Sequence, residues 1–195
     1  MNSIFEAVVL AFIPEDLSPS ALSLICRALK AHDVSEFNRV IDSVGLARFS
    51  EQKYWLLRDL LYLDSSFHYA VSGLLILDEF PAQRLFQVRS NIKEKVDWKT
   101  FWPACGGRFY NGEMIALKWD PVWVKISVFS FPVPPFQIPS GYDVEDVDRD
   151  EAESLGLIQP RDRAPTMRFE IDLAELKSRI AAELHRAGST DPGRL

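Results

Sequence analysis

Apolar residues recur at two different periods along this chain, and the change of period divides it. Through the first third the period is helical. Ser18 is an N-cap and Pro19 suits the first turn, after which Leu22, Ile25, Cys26 and Leu29 share one face. Asp33, with Glu36 three residues on, makes a capping box for a second helix. Its stripe is Phe37, Val40, Ile41 and Val44, and Gly45 ends it. Ser50 opens a third helix with Trp55, Leu56, Leu60 and Leu63 periodic. Asp64 reads as the cap of a fourth, over 65–77, with Phe67, Val71, Leu74 and Leu75 inward, broken by Phe80-Pro81. Four short helices with short links predict an orthogonal bundle or hairpin pair.

Past residue 80 the period shortens to two. Residues 85–89, LFQVR, alternate as a strand. Asp97 caps a short helix through Trp102. Asn111-Gly112, between Phe109-Tyr110 and Met114-Ile115, signals a type I′ hairpin, because both central residues must take positive φ. Asp120-Pro121 starts a short helix that buries Trp123 and Ile126. In FPVPPFQIP, prolines remove donors and fix φ, so an ordered extended segment pinned to the core is expected. Asp148 caps a helix stopped by Gly156, and residues 159–167 form a polar linker. Residues 168–171 read as a strand, and Asp172 with Glu175 caps a final helix over 173–187. The tail, 188–195, reads as disordered. The expected fold class is α+β: an N-terminal helical unit packed on a small antiparallel sheet (near 85–89, 107–118 and 168–171), with a C-terminal helix over one face. The expected units are 1–78 and 79–187, or both together as a single domain.

Composition narrows the function classes. Of 195 residues, 47% are apolar and 26% charged, enough for a core and ordinary for a soluble domain. The formal net charge of −6 argues against a general duplex-DNA binder, which carries a basic face. No apolar run reaches the ~20 residues of a membrane span. The opening MNSIFEAVVLAFIP lacks a basic start and carries Glu6, so a core strand or short helix is expected over a signal peptide. Cys26 and Cys105 lack CxxC spacing and read as buried thiols. The expected location is a bacterial cytoplasm, or a virion.

The candidate chemistry is thin. Asp143, Glu145, Asp146, Asp148, Asp150, Glu151 and Glu153 form an acidic cluster that fits no EF-hand. Helix capping and a solvated face are the preferred reading, with Asp143, Glu145 and Asp146 as weak metal candidates. His32, His68 and His185 lie far apart, without a ligand motif, and no Cys/His hydrolase pattern stands near Cys26 or Cys105. Gly106-Gly107-Arg108 precedes a hairpin, unlike a phosphate loop between strand and helix. Arg108, Tyr110, Lys118, Trp119 and Lys125 suit either a single-strand nucleic-acid platform or an amphipathic hairpin over a core. No catalytic constellation and no cofactor is expected. The expected partner-binding set is Arg108, Tyr110, Trp119, Trp123, Phe131, Pro134, Pro135, Phe136 and Tyr142, because prolines pre-order a docking segment and aromatics favour interfaces.

Over residues 65–158 the order of elements resembles the C-terminal part of F-like minor head (head-morphogenesis) proteins of Mu-type tailed phages. The resemblance rests on Phe80-Pro81, Gly106-Gly107, the GEMIALKWDPVW run with Gly112, Met114 to Lys118, Asp120, Pro121 and Trp123, then PPF at Pro134 to Phe136, and Ser140-Gly141. Two features depart from it. No Cys- and His-bearing stretch follows Pro135, and residues 1–64 form a compact helical unit in place of a long helical arm. The resemblance implies a non-enzymatic structural or assembly role in phage particles, docked to a capsid protein, a portal or a sister chain, and compatible with a homo-oligomer. Two other classes stay open: a small nuclease-like toxin or defence effector, and an acidic immunity or inhibitor protein steered to a basic toxin. Nucleic acid is the lesser partner, and a membrane is not expected.

Overall fold

A computed structural model describes residues 17–30, 33–90, 96–138, 140–167 and 172–188. The expected N-terminal apolar segment, the strand at 168–171 and the tail beyond 188 lie outside the described residues. The chain is α+β and divides into two compact units, Met1–Asp64 with Asp172–Leu195, and Ser65–Ile171. The division therefore falls at residue 64, short of the expected 78.

In the first unit, α1 (Pro19–Lys30) and α2 (Val34–Ser43) start where the cap signals place them. Ser18 Oγ accepts from the Ala21 N–H at 3.2 Å. The Asp33 carboxylate accepts from the N–H groups of Ser35 and Glu36 at 2.8 and 3.0 Å. Gly45 takes a φ of 76°, which ends α2. Helices of 12 and 10 residues are marginal in isolation. Here Ile25, Leu29, Phe37, Ile41, Tyr54 and Leu57 bury completely as one cluster. Each such side chain contributes about 1.5–3 kcal/mol, which outweighs local propensity.

The expected third and fourth helices are one helix. α3 runs unbroken over Glu51–Gly73 and passes into a 3₁₀ turn, Leu74–Ile76. Asp64 is not a cap, because mid-helix N–H groups already have partners four residues back. The continuous helical phase carries the buried positions through Leu60, Leu63, Ser66 and Gly73. Val71 and Leu75, expected to face inward, are instead 40% and 90% exposed.

The second unit holds β1 (Ala82–Gln87), α4 (Trp98–Ala104), β2 (Arg108–Tyr110), β3 (Glu113–Leu117), α5 (Val122–Ile126), β4 (Tyr142–Val147) and α6 (Arg149–Ser154). The four strands form one antiparallel sheet in the order β2-β3-β1-β4. The hairpin is as expected, with φ of 52° at Asn111 and 85° at Gly112. β1 begins at Ala82, earlier than expected, and β4 falls within the acidic segment, where no strand was expected. Leu85 lies opposite Met114 and Val144, so one face of the sheet points all three at Trp98, Trp102, Trp123, Ile126 and Phe136. The other face sends Ala82, Ile115 and Val147 onto Ala152 and Ile158. The last helix, α7 (Leu173–Gly188), belongs to the first unit.

Candidate functional site

The hairpin and the proline-aromatic run form the centre of the second unit. Gly107 lies so close to Trp102 that a Cβ would overlap the indole ring. That approach lets Trp102 Nε1 donate to the Arg108 carbonyl at 2.8 Å, fastening α4 to β2. The Gly-Gly pair thus serves packing, and Gly106, with a φ of 98°, turns the chain into the strand. Trp123 Nε1 donates to the Leu117 carbonyl at 2.8 Å, and its ring meets Trp102 edge-on and stacks on Phe136. Both buried indoles satisfy their only donor, so no desolvation penalty remains there.

The expected docking residues separate into two groups. Trp123 and Phe136 are fully buried, and Phe131, Pro134 and Pro135 are buried as well. The Phe131 ring packs 5.4 Å from Phe67, and the Pro134-Pro135 peptide is cis. These five side chains are core, and a partner reaches them only if the unit opens. Tyr142 is half-buried against Trp98 at 4.9 Å, and Tyr110 and Trp119 are half-buried around the Ala82–Ile115 cluster. Arg108 is exposed, and Phe109 beside it is 42% exposed. The hairpin therefore presents a basic and an aromatic side chain on a rigid base.

The acidic segment is built into the sheet by Lys118 and by Arg84, a cation that sequence reasoning passed over. Arg84, mid-strand on β1, reaches three carboxylates: Glu145 at 2.6 Å, Glu151 at 2.5 Å and Glu113 at 3.0 Å. The Glu113 contact, at Nε, is a charge contact without hydrogen-bond alignment. The bond to Glu145, with the charges of the other two, holds the guanidinium above its ordinary pKa against the pull of burial. On β4, alternation sends Asp143 and Glu145 to one face and Asp146 to the other. Asp146 pairs with Lys118 at 2.7 Å and accepts from the Tyr69 hydroxyl at 2.9 Å. The three weak metal candidates therefore do not converge, and no group of three potential ligands occurs among the described residues. Asp148 caps α6 through the Glu151 N–H at 2.8 Å, and Glu153 pairs with Arg149 at 2.8 Å.

The remaining candidates stay apart. Lys118 is engaged by Asp146, so the basic-aromatic set keeps only Arg108 and Lys125 at the open surface. Cys105 Sγ faces the Lys125 carbonyl at 3.8 Å, and burial pushes its thiol up, away from the nucleophilic thiolate. His68 is exposed on α3, while His32 and the His185 side chain lie outside the described residues. Arg84 carried one sequence signal, as the lone charge in the AQRLFQ strand. No helix among the described residues is long and apolar enough to cross a membrane. No family model, curated protein or solved structure significantly matches this chain.

Proposed function

We propose that the protein is a phage- or prophage-related structural or assembly protein that acts by docking to a capsid protein, a portal or a sister chain. One observation carries this reading. The stretch that resembles F-like minor head proteins, 65–158, nearly fills the compact unit Ser65–Ile171, so the resemblance follows a folding unit rather than scattered motifs. The hairpin adds a docking element to that unit. Arg and aromatic side chains on a pre-ordered support are the types that dominate interface energetics, and Arg108 and Phe109 are exposed on β2, which the buried Trp102 fastens through the Arg108 carbonyl.

Pull-down from an infected or induced host, followed by light scattering and titration with the captured component, tests the reading. Capture of a capsid or portal protein, or self-association, is expected, with affinity falling at least about tenfold in an Arg108→Ala, Phe109→Ala double variant. A strictly monomeric particle that binds none of these partners overturns it. Cleavage of labelled RNA or DNA by the purified chain would favour a nuclease-like effector instead.

A further inference from the structure

We propose that residues 159–164 form a fastened strap, with Arg149 and Asp78 as its clasp, so that the segment leading to the last helix has a closed state and a released one. Arg149 Nη2 donates to the Asp162 carbonyl at 2.6 Å and the Pro160 carbonyl at 3.4 Å. Its Nη1 donates to the Asp78 carbonyl at 3.1 Å, and Glu153 holds Nε at 2.8 Å. Asp78 completes the clasp. Its carboxylate accepts from the Ala164 N–H at 2.9 Å and lies 3.6 Å from the Arg163 guanidinium. Within the strap, the Gln159 N–H donates to the Asp162 carboxylate at 2.8 Å and the Asp162 N–H to the Gln159 carbonyl at 2.9 Å.

The strap has little else to hold it. Residues 159–163 are exposed, so almost no apolar burial resists opening. Its closure rests on a few polar bonds, of which those from the Arg149 guanidinium are charge-assisted and strong. Arg149 itself is positioned by the fold. Its backbone N–H donates to the Glu79 carbonyl at 2.9 Å, and only 23% of its side chain is exposed. A single residue at the start of α6 therefore controls whether six others stay against the unit. The same short helix sends Glu151 to Arg84, which ties the clasp to the charged centre of the sheet.

Limited trypsin digestion of the full chain, with cuts mapped by mass spectrometry, tests this. Arg161 and Arg163 already expose their side chains, but cleavage needs several residues of backbone to extend, which the clasp prevents. Slow cutting after both is expected in the native chain. In Arg149→Gln and in Asp78→Ala these two cuts accelerate on the order of tenfold or more, with other sites unchanged. Should Arg149→Gln loosen the whole unit, every site accelerates, and Asp78→Ala decides, because truncating that half-exposed side chain removes its contacts to Ala164 and Arg163 and its 3.9 Å ion pair with Arg149, while the Arg149 bonds to the strap carbonyls stay. Unchanged rates after Arg161 and Arg163 in Asp78→Ala, or native cutting there as fast as in urea, overturn the proposal.

Discussion

Tyr69 and Gly107 show how much single side chains decide in this protein. The Tyr69 hydroxyl donates to Asp146, and that bond raises the phenol above its ordinary value of 10.0. The neutral phenol is the form that the fold favours. Its contribution is therefore complete below the unfolded pKa and is lost as pH rises through the higher folded value. Tyr69 should ionise after exposed tyrosines in an alkaline NMR titration, and Tyr69→Phe should flatten the fall in thermal midpoint above pH ~10. Equal slopes in both proteins would refute the assignment. The effect is small, because the ring is 62% exposed and solvent competes. Gly107→Ala is a larger change. The added methyl meets the Trp102 indole, an overlap that costs about 3 kcal/mol in a well-packed core and that urea denaturation would register as a lower midpoint.

Whole elements follow local rules wherever one rule dominates. The hairpin was fully legible, because Asn-Gly between two β-rich pairs admits one turn type. Gly112→Ala, forced to a φ of 85°, should cost roughly 1–2 kcal/mol, measured by chemical denaturation, and should leave the register of β2 on β3 intact by NMR. The caps at Ser18, Asp33, Asp97 and Asp148 were legible for the same reason, since each places a short acceptor before a helical stripe. Asp64 carries the same signal and fails, because a cap acts only where N–H groups are orphaned and α3 runs straight through it. β4 was hidden by its own chemistry. Its acids occupy both faces, so the alternation of Tyr142 and Val144 breaks after four residues at Asp146, and the cations that neutralise it lie on β1 and just past the end of β3. Ion pairs between residues 61 apart in sequence, such as Arg84 with Glu145, leave no periodic trace.

At the scale of the molecule, the division into two units reassigns both ends of the expected boundary. Ser65–Ile171 has its own sheet and apolar clusters on both of its faces. A polypeptide of residues 65–171 should fold by itself, with dispersed amide resonances and native cross-strand contacts between Leu85 and Val144. A collapsed spectrum would show that this core depends on the rest of the chain. The proline-aromatic run illustrates what the sequence could not decide. Hydrophobicity marked Trp123, Phe131 and Phe136 as buried against something, and only the fold shows that the something is this unit itself.

That inward use of aromatic residues gives the protein a built-in optical probe. Of its five tryptophans, Trp98, Trp102 and Trp123 sit in the interior of one unit, with two of the rings in edge contact. Emission in the native state should be blue-shifted, and loss of the sheet should move it to the red. Docking at the hairpin would then be visible without any label, through Trp102 beneath Arg108.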